Sequence, residues 1–329
     1  MKTKTLVFTA PNSFEVQSVE PDDLGPNDIL VKTIVTAISP GTERWTLKGL
    51  HVGTRFPCVP GYHRIGIIEK KGLQVRGFET GDIVYGSGGR WRDKNLHCMF
   101  GAHTEYSVFD AGGYSFVASE MPEQFELDTT VFTILAGVAH RGIRFLNPQP
   151  FQQVGIIGSG IIGICAAQLA LLRGATPWLL DVDQERLSFV RSIVPNICNI
   201  REENAFDNLK KNIPGGFDIV YDSVGNAKTT DRLVQLMRNQ GTLLLQAQYF
   251  DKEKCALDLD QIKIKEITIK TTCGIDGIDH ADTMKLIRTR QLAISQLITH
   301  RFKSADIKQG YELLRDNKEF NLGIVFNWR

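Results

Sequence analysis

The chain has 329 residues, 42% of them hydrophobic, which suffices for two domains that each bury a core. Its 38 Lys and Arg balance 37 Asp and Glu to a formal net charge of +1, so no global field draws it to nucleic acid or an anionic membrane; small molecules or a second copy of itself are the expected partners. The opening MKTKTLVFTAPNSFEV has too short an apolar run for a signal core or membrane span, so a strand with a polar turn, and a cytoplasmic protein, are expected.

In chain order, residues 1 to about 148 read as short β runs, LVFTA, DILVKTIVTAI, RIGIIEKKG and TEYSVF, punctuated by Gly, Pro and Asn/Asp turns. From Val154 strand and helix alternate: VGIIG and a helix to Arg173, TPWLLDVD and a helix from Gln184, FDIVYDSVG and a helix from Thr229, then GTLLLQAQ. That order predicts right-handed βαβ units and a parallel sheet covered on both faces. After EITIKTTCG come helices around Ala281 to Arg290 and Ala305 to Arg315, and a final strand, GIVFNW, expected to return to the first domain. The six cysteines form no C-x-x-C pair and have no His at zinc-binding spacing, so structural zinc is not expected; most sit among apolar residues, as buried reduced thiols do.

The run Val154 to Gln168 is an apolar strand, a glycine turn and a helix start. Gly158, Gly160 and Gly163 supply G-x-G-x-x-G: the first permits the tight turn, the second lets a pyrophosphate approach the backbone, the third lets helix and strand pack closely. Ser159, Ile161 and Ile162 complete the turn, with phosphate charge meeting the helix N-terminus. The next strand ends in Asp181, placed to accept hydrogen bonds from ribose hydroxyls and to repel a 2′-phosphate, which favours NAD over NADP. Arg186 lies in the same region and keeps NADP open. Ser223 and Val224, in the turn after the next strand, and Gln246 after the one following, are expected along the same sheet edge.

Over essentially the whole chain this resembles the medium-chain dehydrogenase/reductase family. Pro60-Gly61-Tyr62-His63-Arg64-Ile65-Gly66 is similar to its P-G-H-E-x-x-G segment, Gly81-Asp82-Ile83-Val84 to G-D-R-V, and Glu105-Tyr106 to A-E-Y. The resemblance implies an α/β architecture: a GroES-like β-rich catalytic domain (1–148), a Rossmann doubly wound parallel-sheet cofactor domain (149–276), and a return segment completing the catalytic domain (277–329). It also implies a homodimer, with EITIKTTCG as the pairing strand. The departures concern zinc. Pro40-Gly41-Thr42-Glu43 stands where zinc-dependent relatives carry C-x-T/S-D, Tyr62-His63 where they carry His-Glu, and Thr133 aligns with the third ligand position. The four-cysteine lobe is replaced by SGGRWRDKNLHCMFGAH with its single Cys98. A catalytic zinc needs three protein ligands, so a zinc-independent member with no metal is expected; His63, His97, Cys98 and His103 match no tetrahedral spacing.

Without a metal, hydrogen-bond donors and a tuned base must manage the proton and the alkoxide charge. Thr42 resembles the family's hydroxyl relay. Tyr62 or His63 is expected to shuttle the proton, with Thr42 bonding the substrate oxygen and Glu43 orienting a neighbour. Trp45, His51, Trp91, Arg92, His97 and His103 are expected to line the pocket, a mixture suited to a polyol, cyclitol, sugar or amino sugar. The expected reaction interconverts a secondary alcohol and its ketone. The alternatives are an NADPH-dependent quinone or enoyl reductase, a hydroxyethyl-chlorophyllide-type dehydrogenase, which the Ile38 to Arg44 loop resembles, and a catalytically idle NAD-binding protein.

Overall fold

Leu6, Val7 and Phe8 are consecutive in β1 (Thr3–Ala10) and all fully buried, so the first strand is covered on both faces. It turns at Pro11 and Asn12, whose φ of 58° suits the second corner of a type II turn, and pairs antiparallel with β2 (Ser13–Val19). The structure is a computed structural model that describes residues 1–249, 255–316 and 319–329. The chain forms two units, Met1–Phe132 with Ile294–Arg329, and Thr133–Ala293.

The first unit adds β3 (Asp28–Ala37), α1 (Pro40–Leu47), β4 (Cys58–Val59), β5 (His63–Lys71), β6 (Ile83–Gly86), β7 (His97–Cys98), β8 (Tyr106–Asp110), β9 (Tyr114–Ala118) and α2 (Gln124–Thr130), then β16 (Ile298–Lys303), α10 (Ile307–Asp316) and β17 (Gly323–Asn327) from the C-terminal end. One sheet runs β2-β1-β4-β7; the other runs β16-β17-β3-β5-β6-β9, with β8 also on β3. The C-terminal strand β17 lies antiparallel to β3, and α10 brings Tyr311 and Leu314 into a core with Phe8, Ile38, Leu47 and Phe326.

In the second unit β10 (Gln153–Ile157), β11 (Thr176–Asp181), β12 (Ile197–Asn199), β13 (Phe217–Asp222), β14 (Met237–Leu245) and β15 (Thr268–Thr271) are all parallel, in the order β12-β11-β10-β13-β14-β15. The helices are α3 (Thr133–Leu146), α4 (Ile161–Leu172), α5 (Gln184–Val190), α6 (Ala205–Asn212), α7 (Ala227–Val234), α8 (Leu259–Ile264) and α9 (Gly277–Arg288). The order reverses at β10, flanked by β11 and β13. Ligands of such sheets bind outside the strands' carboxyl ends at that reversal.

The units divide at 132/133 and 293/294 rather than at 148 and 276. The reason is α3, which packs on α4 and α9. Asp276 and Asp279 cap α9 and receive Arg144 from α3 at 2.7 and 2.9 Å, and His140 meets Asp279 at 2.9 Å. Burial alone would raise the Asp279 carboxyl, but hydrogen bonds from Arg144 and His140 outweigh it and hold the pKa at about 2. No disulfide joins cysteines among the described residues, yet only Cys58 and Cys165 are buried; Cys198 is intermediate, and Cys98, Cys255 and Cys273 are exposed because they fall in an edge ladder and in loops rather than in sheet interior. No helix among the described residues is long and apolar enough to cross a membrane.

Candidate active site

The glycine turn follows β10. Gly158 holds φ 101°, and a Cβ there would lie 2.8 Å from the Ser223 Oγ and 2.5 Å from Val224. At Gly163 a Cβ would fall 1.9 Å from the Gly158 carbonyl oxygen. At Gly160 it would meet nothing within 4 Å. Two glycines are thus demanded by the protein itself, while the third keeps a space open. Gly160 is the N-cap of α4 and no side chain caps that helix, so the first-turn N–H groups, those of Ile161, Ile162 and Gly163 among them, face that space with the positive end of the helix dipole. This turn fits a dinucleotide pyrophosphate.

Asp181 ends β11 beside it. Its Oδ2 accepts from the Ser159 N–H at 2.5 Å and from the Ser159 hydroxyl at 2.6 Å, and its Oδ1 from the Val182 and Asp183 N–H groups at 2.7 and 3.0 Å. The carboxylate is therefore fixed toward the turn, and a ribose diol would take the place of the Ser159 hydroxyl. Arg186 pairs with Asp183 at 3.4 Å. The Ser223 hydroxyl donates to the Ile157 carbonyl at 2.6 Å, which ties β13 to β10 at the reversal, and Val224 is 53% exposed over Gly158. The Gln246 side chain is committed to the protein: it accepts from the Tyr221 hydroxyl and donates to the Val138 carbonyl at 2.6 Å. Its backbone N–H is engaged too, donating to the Asp222 carbonyl at 3.2 Å.

In the first unit, Glu43 is the centre of a buried network. One carboxylate oxygen accepts from the Ser39 and Tyr62 N–H groups at 2.9 and 3.2 Å, the other from His103 Nε2 at 3.2 Å and from the Tyr311 hydroxyl. Burial would raise the Glu43 pKa, but the His103 charge and hydrogen bond, the Ser39 N–H and Tyr311 together lower it. Four donors on four lone-pair positions leave no base for a substrate proton. Glu43 is thus a positioning residue: it closes the first turn of α1, which carries Thr42, and sets the Tyr62 backbone. Its partners come from distant sequence; His103 Nδ1 meets the Thr36 hydroxyl at 2.9 Å, which also receives Trp328 Nε1 at 2.9 Å. Sequence reasoning missed Tyr311, Thr36 and Trp328, since no local spacing links residues so far apart.

His63 begins β5, fully buried, and among the described residues neither ring nitrogen has a hydrogen-bond partner. Its neighbours are aromatic: Tyr85 stacked at 6.2 Å, Tyr62 edge-on at 5.6 Å and Phe132 at 6.5 Å. Burial in this cage pushes its pKa down to about 3, with Glu43 opposing and His103 adding to the shift. Thr42 is partly buried, and its carbonyl accepts the Thr46 hydroxyl at 2.9 Å. Of the expected pocket residues, Trp91 is core, the exposed Arg92 reaches Asp23 at 2.6 Å, and His103 belongs to the Glu43 network; Trp45, His51 and His97 stay partly exposed.

The donor set does not fit zinc. Pro40 offers no side-chain donor, and Thr133 lies fully buried at the start of α3 in the other unit. Among the described residues no three His, Cys, Asp or Glu side chains come together to hold a metal ion.

An oxidoreductase with a glycine-turn dinucleotide site and a β-rich partner domain is the class that this fold and turn define. Residues 25–120 match the alcohol dehydrogenase GroES-like domain family, and residues 162–289 match the zinc-binding dehydrogenase family. The chain belongs to the medium-chain dehydrogenase/reductase superfamily. It is 28% identical over 358 aligned residues to the L-threonine 3-dehydrogenase of Vibrio cholerae, covering 100% of both chains. Its fold is similar to that of the alcohol dehydrogenase of Thermus sp. ATN1 (TM-score 0.85, 19% identity, covering 99% of this chain and 100% of the other). It is also similar to a Sinorhizobium meliloti 1021 protein solved with NADP (TM-score 0.85, 20% identity, 100% of both).

Proposed function

We propose that the chain interconverts a secondary alcohol and its ketone, using NAD(H) and no metal ion. The observation that carries this reading is the open turn at Gly160 beside a carboxylate, Asp181, fixed at the end of the second strand. A carboxylate there bonds ribose hydroxyls and repels a 2′-phosphate. Arg186, the residue that would favour a 2′-phosphate, is engaged with Asp183. Bound NAD would supply the hydride acceptor.

The remaining tasks fall to side chains of the first unit. A neutral His63 has one N–H and one bare nitrogen, so it can hydrogen-bond a substrate oxygen without first losing a proton. A neutral imidazole that stabilises a developing oxyanion is chemically sound. Its depressed pKa makes it a poor proton carrier near neutrality, so the alcohol proton passes along the Tyr62 and Thr42 hydroxyls to solvent water and returns by that route in ketone reduction, with Glu43 holding both segments. Each preorganised donor of this kind contributes roughly 3 kcal/mol to stabilising the charge. The edge of β15, which carries no further strand among the described residues and has Ile269 41% exposed, supports a homodimer formed by strand pairing.

The test is reduction of NAD and NADP in parallel over a panel of secondary alcohols. NAD should be preferred, and Asp181→Ala should remove that preference while retaining turnover. A wild-type preference for NADP, or reduction of enones in place of ketones, would overturn the reading.

A further inference from the structure

Phe100 holds φ 72°, a left-handed conformation that a bulky residue adopts only where its surroundings over-determine it. Here they do. The N–H groups of Met99 and Gly101, on either side, both donate to the Val59 carbonyl, at 2.9 and 3.2 Å, and the Phe100 carbonyl accepts from Gly88 at 2.6 Å. Two donors on one acceptor leave Phe100 as the extra residue of a bulge, and bulges re-aim a side chain. The ring is aimed at Tyr62, edge-on with centroids 4.4 Å apart, and at His51, 5.9 Å away. Because Tyr62 in turn meets His63, an aromatic run His51, Phe100, Tyr62, His63 leads from partly exposed surface to the unpartnered imidazole.

The flank of this run is apolar as well. Leu50 and Val52 are 57% and 83% exposed in the turn that carries His51. His51 Nδ1 donates to the Val52 carbonyl at 3.0 Å, which holds the ring in place. Arg92 and His103, two of the polar residues expected to line the pocket, are engaged with Asp23 and Glu43.

We infer that Phe100, with His51 and Tyr62, determines specificity, selecting an alcohol or ketone whose non-reacting arm is aromatic or branched and apolar rather than polyhydroxylated. This rests on the alcohol–ketone reading: Tyr62 and His63 handle the oxygen, and Phe100 handles the arm. Edge-to-face packing of a substrate ring on this wall adds to its area burial, whereas a polyhydroxylated arm would give up water against aromatic faces.

The experiment measures binding of acetophenone and of fructose to wild type, Phe100→Ala and Phe100→Leu. It is read by intrinsic fluorescence on the cofactor-free protein and by nicotinamide fluorescence on the NADH complex, with NADH affinity measured separately. Acetophenone should bind at least about tenfold more tightly than fructose, and Phe100→Ala should weaken it about tenfold, the scale of a reshaped apolar pocket, while Phe100→Leu keeps most of the affinity and NADH binding is unchanged. Tighter fructose binding in wild type, or equal loss of both ligands in both variants, would overturn the inference. Failure of NADH to bind while acetophenone still discriminates the variants would instead strike the cofactor reading and leave the aromatic wall supported.

Discussion

Replacing His63 by Phe separates the cost of burying an imidazole from the service it performs. The folded protein holds His63 neutral down to about pH 3, whereas a histidine in an unfolded chain binds its proton near pH 6.5. Between those values the unfolded state holds a proton that the folded state lacks, so stability falls as pH drops, by about 1.4 kcal/mol per unit. From pH 6.5 to pH 5 the loss attributable to His63 is about 2 kcal/mol. Phenylalanine suits a site walled by Tyr62, Tyr85 and Phe132 and carries no proton. Urea unfolding of wild type and His63→Phe at pH 7 and pH 5 measures the difference directly. The variant should gain about 2 kcal/mol on wild type between the two pH values, and its turnover at pH 7 should fall at least about tenfold with NADH affinity unchanged. Identical pH dependence of the two proteins would show that His63 is charged or partnered when folded, and would refute the neutral-donor role.

The glycine turn offers a sharper separation. Gly160→Ala has an ordinary φ and meets nothing, so stability should stay within about 0.5 kcal/mol while NADH binding weakens at least tenfold by the order of a lost pyrophosphate contact; calorimetric titration checks this. Gly163→Ala forces a Cβ onto the Gly158 carbonyl and should destabilise the second unit by about 3 kcal/mol, seen as a lowered Tm before any ligand is added. Glu43→Ala leaves three buried donors and the part-buried Tyr62 N–H without this acceptor and should cost about 4 kcal/mol in chemical denaturation, with Tyr311→Phe costing about 1 kcal/mol. Because the folded Glu43 pKa is lowered, its contribution is fully present above the unfolded value of about 4.3 and is lost as pH falls through the folded one; the Ala variant should lack that acid-side decline.

The cofactor half was legible because its signals are local: a strand, three glycines at fixed offsets and an acid closing the next strand must adjoin in any parallel βαβ unit. The carboxylate's grip on Ser159 was not legible, nor was the use of Gln246 by Tyr221 and Val138, since a side chain's partners depend on loops whose paths the sequence leaves open. The helix α3 was overlooked because its buried positions lie on several faces, Leu135, Ala136, Ala139, His140 and Ile143 among them, which blurs the 3.6-residue period. That oversight moved the first domain boundary by more than a helix length of chain. Glu43 was noticed for its place beside Thr42, but its role is set by His103 and by Tyr311, 268 residues away. Such long-range networks leave no spacing to read, and the same holds for the left-handed backbone of Phe100, which only the fold discloses.

The proposed chemistry has hydroxyls and a neutral imidazole, in place of a cation, manage the charge at the carbinol oxygen. Metal analysis of the purified protein, paired with its NAD-reduction rate before and after exhaustive chelation, tests it most directly. Substoichiometric metal and an unchanged rate are expected. One tightly held zinc per chain, with activity lost on its removal and restored on its return, would contradict it.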